Sequence, residues 1–148
     1  MPKPKVLFIC LGNSCRSIMA EALARYRCGD RWDAASAGIR PLGLVAPETL
    51  QVLAEIGVSP AGLYSKGLHE INLREYRLVI NLSDHSLHGF LPAVGAIEVR
   101  NRPVLDPYEC GLEVYRRSRD IIDQVIIREL CREKKRRFDL LGNELPPR

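Results

Sequence analysis

Val6-Leu7-Phe8-Ile9-Cys10-Leu11-Gly12-Asn13-Ser14-Cys15-Arg16-Ser17-Ile18-Met19-Ala20-Glu21 begins with the pattern of a strand and ends with that of a helix. Val6–Ile9 is a short continuous apolar run, as expected of a strand buried on both faces. It breaks at Gly12-Asn13-Ser14. Apolar residues then return at helical spacing, at Ile18, Met19, Ala22, Leu23 and Tyr26, and the segment stops at Gly29 in the position of a C-cap glycine. A loop that opens onto a helix N-terminus turns unpaired main-chain N–H groups inward, and the helix dipole adds positive potential. Cys10–Ser17 is therefore a candidate oxyanion site.

The same alternation continues outward. Asp33–Ala37, ended by Gly38, reads as a second strand, and Ala46–Ile56, with Pro47 in its first turn and Gly57 after it, as a helix. Arg77–Leu82 is a clear third strand and Ile97–Asn101 a weaker fourth. A helix of about two turns is expected near Ser83–Phe90. A long one is expected from Leu112 to Arg136, with Ile121, Ile122, Val125, Ile126 and Leu130 along one stripe, and a fraying tail from Asp139. Strands separated by helices predict a single α/β domain over residues 1–148. Its architecture would be three layers, a four-stranded parallel sheet flanked by helices on both faces. Ligands in such sheets bind at the carboxyl ends of strands, where Cys10 lies.

Composition narrows the chemistry. With 148 residues, 46% apolar and 27% charged, the chain is long enough to bury a core without disulfides. No segment is long and apolar enough to span a bilayer, and Met1-Pro2-Lys3-Pro4-Lys5 leads into too short an apolar run for a secretory signal, so a cytoplasmic location is expected. The net charge of +4 owes much to Arg132–Arg137, which reads as a solvated last helical turn rather than a nucleic-acid patch. The five cysteines form no Cys-x-x-Cys pair and lie far in sequence from His69, His85 and His88, so neither a metal nor another cofactor is expected. The loop has no Gly-Lys-Ser/Thr ending and no Gly-x-Gly-x-x-Gly, which separates it from nucleotide cradles.

The residue types inside the loop point to nucleophilic chemistry on an anion. Gly12 and Asn13 tolerate the positive φ of a tight cradle. The planar fork of Arg16 matches two oxygens of a tetrahedral oxyanion. Cys10 would act as a thiolate nucleophile in that field, with Ser17 donating its hydroxyl to the sulfur. Cys15 has two readings, a small packing side chain or the partner of Cys10 in a reversible, oxidation-sensitive disulfide. Cys28 and Cys131 fall on helices and read as packing residues, whereas Cys110 follows Asp106 closely enough to approach the site.

Cys10–Ser17 with Met19-Ala20-Glu21, Ser36-Ala37-Gly38, the helix before Gly57 and Asp106-Pro107-Tyr108 together resemble low-molecular-weight protein tyrosine phosphatases and the arsenate reductases that share their fold. The resemblance extends to about Leu130. It implies Cys10 as nucleophile, Arg16 as oxyanion clamp and Asp106 as general acid. The substrate-binding residues would be Leu11, Gly12, Asn13, Ser14, Cys15 and Ser17, with Tyr108 as an aromatic wall. The implied partner is a phosphorylated protein or small aryl phosphate, or arsenate with a thiol reductant, and neither nucleic acid nor a membrane.

Both chemistries begin with the same thiolate attack. The thioredoxin-coupled reductases resolve their adduct with two further cysteines, and gapless placement puts Ser83 and Phe90 at those positions. Asn13-Ser14-Cys15-Arg16-Ser17, Gly29-Asp30-x-Trp32 and Ile18, where the phosphatases usually carry proline, resemble the reductases. Asp106-Pro107-Tyr108 resembles the phosphatases. The expectation is a phosphatase for phosphotyrosine-like aryl phosphates. The alternatives are an arsenate reductase using an external small thiol or thioredoxin-type donor, and an oxyanion-binding module without turnover.

Overall fold

Four short strands, β1 (Lys5–Cys10), β2 (Asp33–Gly38), β3 (Leu78–Asn81) and β4 (Glu98–Asn101), pair in parallel in the order β2-β1-β3-β4. The coordinates are a computed structural model and describe residues 2–91, 97–131 and 138–146. β1 is central, and its Val6, Leu7, Phe8 and Ile9 are fully buried because both faces of the sheet are covered. The register sets Cys10 beside Gly38, Ile9 beside Asn81, and Asn81 beside Asn101, so the carboxyl ends of all strands finish at one level.

Successive strand residues alternate between two cores, as the pleat requires. Val6, Phe8, Leu78 and Ile80 face the larger core, which is closed by α1 (Arg16–Cys28), α2 (Pro47–Glu55) and α3 (Leu112–Ile126). Leu7, Ile9, Ala37 and Val79 face the smaller one, closed by Leu87 and by Leu68, Ile71, Leu73 and Tyr76 from short 3₁₀ turns and their flanks. The expected sheet is thus present, with its two faces covered unequally. Ion pairs join the helices on the larger side. Arg27 donates to both oxygens of Asp123 at 2.8 and 2.7 Å, linking α1 to α3. Arg119 Nη1 donates to the Val52 carbonyl and to Glu55, linking α3 to α2.

Several local expectations are corrected. Ser83–Phe90 forms no helix, and Asp84 therefore caps none. Side chains capture the main-chain donors that a helix would use. Asn81 Oδ1 accepts from Ser83 N and Oγ, Ser83 Oγ accepts from His85 N, and Ser86 Oγ accepts from His88 N. Tyr26 and Ile121, expected on apolar stripes, are exposed, and Cys28 takes the buried position at the end of α1. Gly29 follows α1 in a right-handed conformation and is not a left-handed cap. α3 passes into a π-helical turn at Ile127–Cys131. The expected continuation to Arg136 and the basic run from Arg132 lie outside the described residues. The segment expected to fray contains a turn in which Asp139 Oδ1 accepts from Leu141 N and Asn143 N at 2.9 and 2.8 Å. Among the described residues no helix is long and apolar enough to cross a membrane.

The end of β2 packs directly on the loop after β1. A Cβ at Gly38 would stand 2.8 Å from the Leu11 carbonyl oxygen and 2.9 Å from Asn13 N, both main-chain atoms. Gly38→Ala is accordingly expected to cost about 1–3 kcal/mol by overpacking. Urea unfolding would read that loss, and an unchanged midpoint would show that the strand end and the loop are not in tight contact.

Candidate active site

Each strand delivers a segment to the same end of the sheet. β1 ends at Cys10. The chain leaving β2 runs beside the loop, with Ile39, Arg40 and Leu42 N donating to the carbonyls of Cys10, Leu11 and Gly12 at 3.1, 2.8 and 2.9 Å. Leu82 after β3 donates to the Ile9 carbonyl, and Val104 after β4 donates to the Leu82 carbonyl. Between them lies a cavity of about 300 Å³. Of the residues singled out from sequence, Cys10, Leu11, Gly12, Ser14, Cys15 and Arg16 line it, together with Asp106 and Tyr108. Arg40 and Leu42 also line it, and no motif or periodicity marked either of them.

Asn13 and Ser17 do not line the cavity; they support the loop from behind. Asn13 alone in the loop takes positive φ, at 46°. Gly12 does not, and a Cβ there would stand 3.0 Å from the Leu42 side chain. The Asn13 amide is oriented by its partners. Lys66 N, which only donates, faces Oδ1 at 2.8 Å, so Nδ2 faces Ser17 Oγ at 2.7 Å and Ser36 Oγ at 3.0 Å. Each serine therefore accepts from Asn13 and has one proton to give. Ser36 gives its proton to Glu21 Oε1 at 2.6 Å. Ser17 Oγ stands 2.9 Å from Cys10 Sγ, and its remaining proton is available to a Cys10 thiolate, which can only accept.

This chain of bonds ends on a buried carboxylate. Glu21, fully enclosed on α1, is paired with Arg25 and lies 3.6 Å from Lys66 Nζ. Glu21 and Ser36 belong to the motifs quoted from sequence, but their junction with Lys66 had no sequence signal. Ser14 ties the other side of the loop to the start of α2, its Oγ accepting from Ala46 N and its carbonyl from Thr49 Oγ1.

Arg16 is buried and held by one end of its guanidinium. Nη1 donates to the carbonyls of Leu82 and Val104 at 3.2 and 3.1 Å, and Nη2 lies 3.4 Å from Asp106 Oδ2. Nε is buried and has no hydrogen-bond partner among the described residues. The main-chain N–H groups of residues 11–17 likewise have no acceptor among the described residues. Buried donors normally find acceptors, so an unpaired arginine edge beside a run of unpaired amides defines an anion cradle. Asp106 is partly exposed at the cavity, its Oδ1 fixed by Tyr108 N at 3.1 Å.

Cys15 is turned toward the larger core, with Sγ 3.2 Å from Tyr115 Oη. Burial pushes its thiol upward from the ordinary cysteine range, against the opposing effect of the Tyr115 hydrogen bond. Its side chain joins the larger core, and Cys10 and Cys15 are both free thiols. Burial likewise raises the Cys28 thiol, to about 12, with the Cys131 contact adding to the shift. The three histidines are exposed and none of them lines the cavity.

Comparison with known proteins bears on this arrangement. The family model described as low molecular weight phosphotyrosine protein phosphatase matches residues 5–137. An arsenate reductase of Halalkalibacterium halodurans is 38% identical over 86 residues, which are 58% of this chain and 61% of the relative. The chain thus matches about three fifths of that relative's length. Arsenate reductase 1 of Staphylococcus epidermidis is 45% identical over 58 residues, 39% of this chain and 43% of its own. A solved arsenate reductase in a phosphate-binding state superposes with a TM-score of 0.76 at 27% identity, covering 84% of this chain and 95% of the other. A low molecular weight protein tyrosine phosphatase from T. tengcongensis gives 0.71 at 28% identity over the same shares.

The cradle makes a direct demand on Arg16. Arg16→Lys keeps the charge but loses the unpaired Nε edge, and inorganic phosphate is expected to bind about tenfold to hundredfold more weakly. Isothermal titration would measure this, and equal affinity in the variant would mean that Nε faces no ligand.

Proposed function

The chain belongs to the low molecular weight phosphotyrosine protein phosphatase family, and from that premise we propose that it hydrolyses phosphotyrosine-like aryl phosphates through a phosphocysteine intermediate. The observation that carries this reading is the unpaired Arg16 Nε beside the unpaired amides of residues 11–17, with Cys10 at the start of the loop and Asp106 on the same cavity.

The phosphoryl group sits in the cradle with three oxygens on the loop amides and the Nε and Nη2 edge of Arg16. The Cys10 thiolate attacks phosphorus opposite the aryl oxygen. Charge on the three oxygens meets donors already in position, with little reorganisation. Asp106, protonated for this step, gives its proton to the departing phenolate oxygen. As carboxylate it then takes a proton from the water that attacks phosphocysteine. Phosphate is released, and the Ser17 hydroxyl stabilises the sulfur as it leaves. Leu42 and Tyr108 supply apolar surface for the ring.

The relatives described as arsenate reductases favour a second reading, in which Cys10 attacks arsenate in the same cradle. The two positions expected to hold resolving cysteines carry Ser83, bonded to Asn81, and Phe90, half-exposed. Cys15, the other thiol on the cavity, has its pKa raised by burial and is bonded to Tyr115. Reduction would then depend on an external thiol that attacks the cysteine–arsenate adduct, releases arsenite and leaves a mixed disulfide on Cys10, which a second thiol reduces.

Cys10→Ser is expected to abolish turnover while retaining phosphate binding. Asp106→Asn should slow aryl phosphates with poor leaving groups more than those with good ones, because only poor ones need the proton. Aryl phosphate hydrolysis would be assayed beside arsenate reduction with thioredoxin and with small thiols. Phosphate release that depends on Cys10 supports the first reading. Arsenate turnover with negligible hydrolysis supports the second, and phosphate binding with neither activity would leave an oxyanion-binding module.

A further inference from the structure

Arg40 lines the cavity that holds Cys10 and Arg16, yet its guanidinium makes no hydrogen bond or ion pair among the described residues. Several other arginines are engaged differently. Arg25, Arg27, Arg100, Arg102, Arg116 and Arg119 each hold a carboxylate. Arg40 is also firmly mounted. Its main-chain N–H donates to the Leu11 carbonyl at 2.8 Å, and Pro41 keeps the preceding backbone extended. Gly43 N then bonds Ser65 Oγ, which donates to the Gly12 carbonyl, closing the segment onto the loop.

A phosphate dianion is served by Arg16 and the loop amides, which leaves the charge of Arg40 unmatched. The cavity's one carboxylate, Asp106, is 3.4 Å from Arg16 and is bonded to Tyr108 N. Large apolar side chains continue outward from the cavity along the same two segments. Leu42 and Tyr108 are 47% and 40% exposed, and their neighbours Leu44 and Leu105 are 53% and 63% exposed. Leu44 and Leu105 lie outside the cavity lining, so exposed apolar side chains are available beyond the ring's site, as a peptide substrate would need.

We propose that Arg40 forms a second anion subsite, which binds an acidic side chain flanking the phosphorylated tyrosine of a protein substrate. The subsite rests on the phosphatase reading above and names its substrate class, a phosphotyrosine segment with a neighbouring carboxylate. Such a pair at a partly exposed rim contributes modestly and is screened by salt.

Two phosphotyrosine peptides that differ only in Glu or Gln on both sides of the phosphorylated residue provide the test. At low ionic strength wild type is expected to favour the acidic peptide about threefold to fivefold in kcat/KM, with the preference falling as salt is added. Arg40→Ala should bring the ratio close to one, Arg40→Glu should invert it and Arg40→Lys should retain it. Arg74→Ala, which removes an equal charge outside the cavity, should leave the ratio as in wild type. The same two peptides, fluorescently labelled, would be bound to Cys10→Ser with and without Arg40→Ala and followed by anisotropy. A preference that survives Arg40→Ala and Arg40→Glu overturns the subsite and leaves the phosphatase reading intact. Binding that depends on Arg40, with no turnover of either peptide by wild type, sustains the subsite and overturns the phosphatase reading. Failure to bind or turn over either peptide overturns both.

Discussion

Among the described residues, the main-chain N–H groups of residues 11–17 have no acceptors, and neither has the Nε of the buried Arg16 guanidinium. A chain left to relax would satisfy such donors, since each buried and unpaired one costs about 1–3 kcal/mol. The surrounding structure prevents that relaxation. The Asn13 amide is bonded on both its oxygen and its nitrogen, Ser14 is tied to the start of α2, and the loop carbonyls of Cys10, Leu11 and Gly12 are taken by the chain after β2. Arg16 is fixed by the Leu82 and Val104 carbonyls, one from each of the segments that follow β3 and β4. The sheet is therefore the frame of the cradle, and its common carboxyl edge is what lets distant segments meet there.

That dependence extends inward to charge. Ser17 keeps its proton for a Cys10 thiolate, because Asn13 Nδ2 donates to Ser17 and does not accept from it. Asn13 is oriented in turn by the Lys66 amide and by Ser36, whose proton is committed to Glu21. A carboxylate buried on α1 thus sets the direction of a hydrogen-bond chain that ends at the sulfur. Glu21 acts through positioning, and its own charge is held by Arg25 and Lys66.

Much of this was legible in the sequence, and the reasons are local. Val6–Ile9 is buried on both faces and so reads as continuous apolar sequence, and the turn to α1 carries Asn13 where positive φ is required. The helix expected at Ser83–Phe90 failed because hydroxyl and amide side chains compete for main-chain donors, which hydrophobic spacing does not register. Tyr26 was expected inside on spacing alone, whereas Cys28 closes the end of α1. Arg40, Leu42 and Lys66 reach the site through the parallel crossover after β2 and the turns before β3, and no periodicity or short motif marks such encounters.

The loop accounts for the first step of either chemistry, and the choice between them lies in what removes the group from sulfur. Both chemistries require Cys10 to bear that group. Rapid acid quench of the enzyme with an aryl phosphate, followed by peptide mass spectrometry, tests this directly. A phosphoryl adduct is predicted on the peptide containing Cys10, formed within a single turnover and, with an aryl phosphate whose leaving group is good, increased in amount by Asp106→Asn. Steady hydrolysis with no adduct on Cys10, or with the adduct on another residue, would contradict it.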